Sequence, residues 1–444
     1  MGRPTKTRRL NIWMNGEQVG QWTIAANGRN TFSYTASWLD SPAVRPLSLS
    51  MPLQPADMPY RDARVDAFFD NLLPDSYEIR RRVQTRFGAA STAAFDLLAE
   101  IGRDCVGAIQ LLPLDTAPEE LQRIKGIPLN EAAVAKLLRG TVAAPALGQR
   151  DAEDFRISLA GAQEKTALLW HDNQWCRPQG ATPTTHIFKL PLGRVGNMQA
   201  DLSTSVENEW LCAQITEAYG LKTAHCEMAR FEDQRVLIVE RFDRRLAQDK
   251  RWWLRLPQED MCQALGVPPG RKYEADGGPG MRDIMSLLLG ARDARADRQT
   301  FFKTQILFWI LAATDGHAKN FSVFIEPGGR YSLTPLYDLL SAYPVMGKGV
   351  HHISSQKLRM AMAVYGKTRH YHWSRLQHRH WLNTARTCDF AADVEGVIAE
   401  LIAKTPGVVA SISSRLPKGF PTAVSEPILS GLEKTALQMG DSCS

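Results

Sequence analysis

Ala313-Thr314-Asp315-Gly316-His317-Ala318-Lys319-Asn320-Phe321-Ser322 is the stretch on which the reading of this chain turns. It closes an apolar run at residues 306–313 and sets an Asp and an Asn five residues apart. That is the D-x-x-x-x-N spacing of a phosphoryl-transfer catalytic loop. The chemistry needs both side chains. The Asp315 carboxylate takes the proton of an attacking hydroxyl, and the Asn320 amide oxygen ligates magnesium. Standing alone, the same spacing is that of a turn with two polar caps, so its weight depends on the neighbouring segments.

Downstream, Pro335-Leu336-Tyr337-Asp338 puts an acid at the end of a short apolar run, where a kinase carries a second magnesium ligand. Magnesium takes a few protein oxygens together with phosphate and water, so one Asp and one Asn suffice. Asp338 read alone is equally a helix N-cap or a surface acid. Upstream, Lys189 ends the strand pattern His186-Ile187-Phe188-Lys189-Leu190, where its ammonium can enter a cleft and meet phosphates. An edge lysine with its stem on apolar surface reads the same way.

Earlier still, Ala160-Gly161-Ala162-Gln163-Glu164-Lys165 lies between the strand patterns at 155–159 and 166–170. It matches neither G-x-x-x-x-G-K-[ST] nor G-x-G-x-x-G. Its small residues let backbone N–H groups approach an anion, or make an ordinary hairpin turn. Glu207 and Glu209 sit on the helix predicted over 206–219, and either could pair with Lys189. Loop, lysine, acid-bearing helix, hinge-like strand at 235–242, Asp-x4-Asn and Asp is the order of a kinase fold, and the order outweighs any single motif.

The rest of the chain frames this core. Residues 9–35 alternate apolar and polar around Asn15-Gly16 and Asn27-Gly28, which predicts β-hairpins. Residues 65–73 and 93–98 have helical spacing. The expected class is α+β. The expected division is an N-terminal α+β domain at 1–115, a connecting segment at 116–153, a β-rich lobe at 154–254 and a helical lobe at 255–444. A chain of 444 residues exceeds one ordinary core and suits such a division. The net charge of +6 suits an anionic partner such as ATP or nucleic acid. Seven scattered Cys without a C-x-x-C predict a reduced, cytoplasmic protein without disulfides or a Cys-built zinc site. The basic start has no apolar stretch behind it, so neither a secretory signal nor a membrane partner is expected.

Longer stretches around these residues carry a resemblance. Residues 157–166, 185–191, 313–322 and 334–338 are similar to the signature segments of the HipA family, the kinase toxins of bacterial HipBA toxin–antitoxin systems. So are residues 45–50, 69–76, 100–104 and 255–263, and the likeness covers nearly the whole chain. The resemblance implies a bilobal catalytic domain related to protein and phosphoinositide kinases, with a helical C-terminal lobe. It implies ATP and Mg2+, with Asp315 as catalytic base, Asn320 and Asp338 on the metal, and Lys189 on phosphates. Residues 160–165 would cover the nucleotide. Glu240, Arg241 and Phe242 would line the adenine side, Glu240 and Phe242 through backbone groups. His317, Lys319 and Tyr337 would complete the site. It also implies a HipB-like helix-turn-helix antitoxin, operator DNA bound with that antitoxin, and glutamyl-tRNA synthetase as the phosphorylated target. Phosphorylating that target halts translation and promotes persistence. Ser158 would be the site of inactivating self-phosphorylation.

A basic and aromatic segment at 367–381 offers Lys367, Arg369, Arg375 and Arg379 as DNA contacts. A solvated helix face is the plain alternative. Its two His-x-His pairs lack a nearby carboxylate or Cys and make a poor metal site. The loop Asp276-Gly277-Gly278-Pro279-Gly280 is expected to shape the substrate region. A small-molecule kinase on the same skeleton, or a decayed kinase acting as corepressor, remain the competing functions.

Overall fold

The alternating residues at the start of the chain form a four-stranded antiparallel sheet in the order β3-β2-β1-β4. Its strands are β1 (Arg8–Met14), β2 (Glu17–Ile24), β3 (Asn30–Tyr34) and β4 (Ile109–Leu112). Asn15 and Gly16 both have positive φ, 46° and 95°, as the tight β1–β2 turn requires. The structure is a computed structural model and describes residues 6–142, 157–161, 163–196 and 199–441.

Four helices cover this sheet: α1 (Ala36–Leu39), α2 (Ala63–Asp70), α3 (Tyr77–Phe87) and α4 (Ala94–Ile101). Asp62 caps α2 and Ser76 caps α3 through side-chain oxygens, which satisfies backbone N–H groups left open at each start. Trp22 of β2 stacks on Phe69 of α2 with ring centroids 3.9 Å apart. Burying each such ring is worth about 1.5–3 kcal/mol, so the pair anchors helix to sheet.

The second sheet has six strands, in the order β11-β12-β8-β6-β7-β5. They are β5 (Gly126–Leu129), β6 (Lys165–His171), β7 (Gln174–Pro178), β8 (His186–Lys189), β11 (Cys226–Phe231) and β12 (Gln234–Glu240). A short hairpin, β9 (Gly193–Val195) and β10 (Ala200–Leu202), intervenes. Helix α5 (Glu131–Val142) buries Val134 and Leu138 against Leu168, Phe188 and Ile238 on one face. Helix α6 (Ser205–Ala218) packs Val206 and Ala213 against Leu237 and Val239 on the other. Segment 116–153 is therefore no mere connector. Its described part supplies an edge strand and a covering helix to this lobe. The strand expected at 155–159 is also corrected. Ile157 and Gly161 make single bridges to Asp104 and Pro74 of the N-terminal domain, and residues 155 and 156 lie outside the described residues.

The C-terminal lobe is built on α9 (Ala294–Ile310), whose Phe301, Phe302, Ile306 and Ile310 are fully buried. Around it lie α7 (Met261–Ala264), α8 (Met281–Leu287), α10 (His378–Thr387), α11 (Ala391–Arg415) and α12 (Thr422–Asp441). By length and composition α11 is apolar enough to cross a membrane. It buries Val397, Ile398, Leu401 and Val408 in the same core as α9. A hairpin, β13 (Arg244–Leu246) and β14 (Trp253–Arg255), links the lobes. A three-stranded sheet, β15 (Gln258–Asp260), β16 (Ser322–Ile325) and β17 (Tyr331–Leu333), carries the catalytic loop. Besides the short hairpins β9–β10 and β13–β14, the sequence reading missed β18 (Arg359–Tyr365) with β19 (Arg369–His372). As a result residues 367–381 are strand, 3-10 turn and the start of α10, not one helix face.

Candidate active site

β8 sits between β6 and β12, and this central position carries Lys189 into the cleft. Its Nζ donates to Glu209 Oε1 at 2.5 Å and to Asp338 Oδ1 at 2.9 Å. Burial pulls this ammonium down, but Asp338 and Glu209 outweigh it and hold the pKa above the ordinary lysine value. Of the two candidate acids on α6, the fold selects Glu209. Glu207 faces Arg235 at 2.8 Å.

Asp338 has φ +63°, a left-handed conformation that Asp tolerates better than most residues. Burial pushes its carboxyl up, while Lys189 and Lys165 together bring it below the usual range. Lys165 stands opposite Lys189 in the β6–β8 register. Burial, with Lys189 beside it, lowers Lys165 to about 8.

The catalytic loop leaves α9 and turns through a 3-10 segment at Ala318–Asn320. Asp315 is exposed at the mouth of the cleft. Asn320 Nδ2 donates to the Asp315 carbonyl at 3.0 Å, which commits the amide nitrogen and leaves its oxygen as the acceptor end. Tyr337 donates to the Lys319 carbonyl at 2.8 Å and shares a 2.6 Å hydrogen bond with Ser322. Its ring lies 5.7 Å from that of Phe242, so the loop is braced against the end of β12. His317 is buried, which lowers its pKa, and its Nδ1 has no hydrogen-bond partner among the described residues.

Several expected residues stand elsewhere. The Arg241 guanidinium is buried among Asp104, Asp243 and Thr184, so only its backbone is left for a nucleotide. Lys319 turns away from the phosphate side, with Nζ 3.0 Å from Asp75 Oδ1 and 3.1 Å from the Asn71 carbonyl. In the small-residue loop, Gln163 donates to the Leu190 carbonyl at 2.6 Å, and Glu164 pairs with Arg82 of α3. Ala162 lies outside the described residues. Gly161 has φ +107°, and a Cβ there would meet Lys165 Nζ at 2.7 Å, so this position needs glycine. Ser158 is fully buried, and its Oγ donates to the Leu72 carbonyl at 2.8 Å. Lys367, Arg369, Arg375 and Arg379 are all exposed. Among the described residues no group of three His, Cys, Asp or Glu could hold a metal, the His-x-His pairs included.

Sequence reasoning passed over the N-terminal contribution. The Asp75 backbone N–H donates to the Gly161 carbonyl at 3.0 Å, and its carboxylate accepts from Lys272 at 2.8 Å as well as facing Lys319. The two lysines overcome burial and lower it to about 2. One residue thus clamps the small-residue loop and the catalytic loop together. Its segment, 69–76, stood out in the sequence only by resemblance.

Comparisons with known proteins bear on the family and the fold. The HipA N-terminal domain model matches residues 10–112, and the HipA-like C-terminal domain model matches residues 157–409. Y4mE of Sinorhizobium fredii, whose name describes a kinase, is 37% identical over 76% of this chain and 78% of its own. The serine/threonine-protein kinase toxin HipA of Shewanella oneidensis is 28% identical over 76% of each chain. The solved complex of Shewanella oneidensis HipA with HipB and operator DNA superposes with a TM-score of 0.78, at 22% identity, over 97% of each chain. With both family models matched in order along one fold, the chain belongs to the HipA-like toxin kinase family.

Proposed function

We propose that this protein is an ATP-dependent serine/threonine protein kinase and the toxin of a type II toxin–antitoxin pair. The observation that carries the reading is Lys189 held between Glu209 and Asp338, across the cleft from Asp315 and Asn320. Asp338 and the Asn320 oxygen are hard donors that fit Mg2+, which when bound with ATP would offset phosphate charge. Lys189 and Lys165 supply the positive charge on the strand side. Glu240, Arg241 and Phe242 offer backbone groups on the adenine side.

Asp315 accepts the proton as the acceptor oxygen bonds the γ-phosphorus and the bond to the β–γ bridging oxygen breaks. Residues 160–165 cover the phosphates, with His317 beneath them. The acceptor is a serine of glutamyl-tRNA synthetase, by analogy with the family, and the outcome is halted translation and persistence in the cytoplasm.

Two controls follow. A HipB-like antitoxin binds the protein, and the pair contacts operator DNA, with Lys367, Arg369, Arg375 and Arg379 supplying exposed charge. The solved relative is a HipA, HipB and operator DNA complex, which supports this partner set. Ser158 is the self-phosphorylation site. A phosphate brings roughly −1.5 to −2 charge and cannot remain under Leu72, so the modified segment leaves its seat and the site is disabled.

The test is label transfer from γ-labelled ATP to glutamyl-tRNA synthetase, set beside sugars, inositides and aminoglycosides. Transfer to the synthetase that falls about 100–10,000-fold, to a slow residual rate, in Asp315→Asn supports the reading. Transfer only to a small molecule sinks the protein-kinase part of it. A Ser158→Ala chain that self-labels as strongly as the parent removes Ser158 from its role.

A further inference from the structure

Three consecutive residues of the C-terminal lobe reach three different regions. Lys272 Nζ donates to Asp75 of the N-terminal domain at 2.8 Å. Tyr273 donates its hydroxyl to Asp315 Oδ1 at 2.7 Å. The Glu274 carboxylate accepts from the Ala363 N–H at 2.6 Å and the Tyr365 hydroxyl at 3.2 Å, on β18, and faces Arg369 of β19 at 3.6 Å. The Tyr273 ring meets His317 edge to face, with centroids 5.1 Å apart. The Ala318 N–H donates to the Lys272 carbonyl at 3.3 Å, so this segment also holds the catalytic loop through backbone.

The segment is built to stay in place. A Cβ at Gly278 would lie 1.8 Å from the Arg271 carbonyl oxygen, and one at Gly280 would lie 2.4 Å from the Glu274 carboxyl carbon. Both glycines therefore let the turn fold tightly beneath Tyr273. The phenol contacts only one oxygen of Asp315. The second makes no hydrogen bond among the described residues, and the carboxylate is exposed. An acceptor hydroxyl can reach that second oxygen without displacing the tyrosine. A plug would have to cover both.

We infer that Tyr273 is a positioning residue for the reaction: its hydroxyl fixes the Asp315 carboxylate so that one oxygen faces the acceptor. Lys272 and Glu274 on either side fix Tyr273 in turn. The inference rests on the reading of Asp315 as the base. It predicts an effect on the chemical step and none on nucleotide binding.

The test uses the full chain, first stripped of phosphate by a phosphatase. Single-turnover label transfer from γ-labelled Mg·ATP to the chain itself gives the rate, and equilibrium binding gives the Kd for ATP. Tyr273→Phe should slow transfer about 10–100-fold, the worth of a hydrogen bond to a charged group, and leave Kd unchanged. In an Asp315→Asn background the same substitution should change nothing further, because the residue acts only through that carboxylate. An equal loss in both backgrounds makes Tyr273 a merely structural residue and overturns the inference. Faster transfer in Tyr273→Phe also overturns it, since the phenol would then be a plug. Undiminished transfer in Asp315→Asn alone overturns the reading of Asp315 as the base, and the inference with it.

Discussion

The molecule holds two buried charge clusters, and they are finished differently. Around Asp104 gather Arg241, Arg244 and Arg255, with Asp243 as second acid. Three cations face two carboxylates, and the surplus is met by the carbonyls of Cys105, Gly107, Ala181 and Thr184. The Thr184 hydroxyl and the Gly107 N–H satisfy the acids further. Around Lys189 the cluster is left incomplete. The Asp338 side chain keeps 37% of its exposure, and burial beside Lys189 brings Lys165 down to about 8 despite the nearby acids. A saturated cluster fixes three segments of backbone. An unsaturated one suits the phosphates and cation proposed for it.

The comparison can be broken most easily at Asp104. Asp104→Ala leaves buried Arg255 without an acid and Arg241 and Arg244 sharing Asp243, and should cost about 3–5 kcal/mol of unfolding free energy, read from urea midpoints. A stability loss under 1 kcal/mol, roughly that of a surface ion pair, would show the cluster is not saturated in the sense argued. Asp338→Asn should do the reverse. Transfer should fall roughly 100–1000-fold, as when a preorganised charge is removed from a transition state, with little change in the urea midpoint.

Lys165 sharpens the contrast through pH. Its folded value, about 8, lies below the ordinary 10.5, so between those two values the unfolded chain binds the extra proton. Stability should therefore rise with pH across that window, while ATP affinity should fall as pH passes 8. Lys165→Met should abolish both slopes. The smallest effect belongs to exposed charges that join neither cluster. Arg375→Ala or Arg379→Ala should shift stability by no more than about 0.5 kcal/mol. Each should lower the salt slope of DNA binding by about 1, if that segment touches phosphates.

Much of the frame was legible from local pattern. The strands at 186–190 and 235–242, the helix ending before Gly220 and the hairpin across Pro327-Gly328-Gly329 all follow from residue spacing and turn chemistry. What escaped depends on partners far along the chain. Glu207 and Glu209 differ by two positions on a helix, which turns them to different faces, and only packing shows which meets Lys189. Arg241 and Lys319 are near the nucleotide in sequence, yet their side chains answer to Asp104 and Asp75. Tyr273 lies 42 residues from the carboxylate it touches, with no motif joining them. β18 reads Arg-Met-Ala-Met-Ala-Val-Tyr, a run without alternation because five consecutive residues are buried, and its Met and Ala favour helix by propensity. The segment 155–159 alternates like a strand, but its described residues Ile157 and Ser158 bond Asp104 and Leu72 of the N-terminal domain.

The Asp75 clamp sets an order of assembly at the ribosome. Asn71 is synthesised 248 residues before the Lys319 that binds its carbonyl. The N-terminal domain can fold while the catalytic loop is still unmade. The small-residue loop then reaches a finished seat, and the catalytic loop docks after both. A nascent chain cannot close the Lys189–Asp338 pair until translation has passed residue 338.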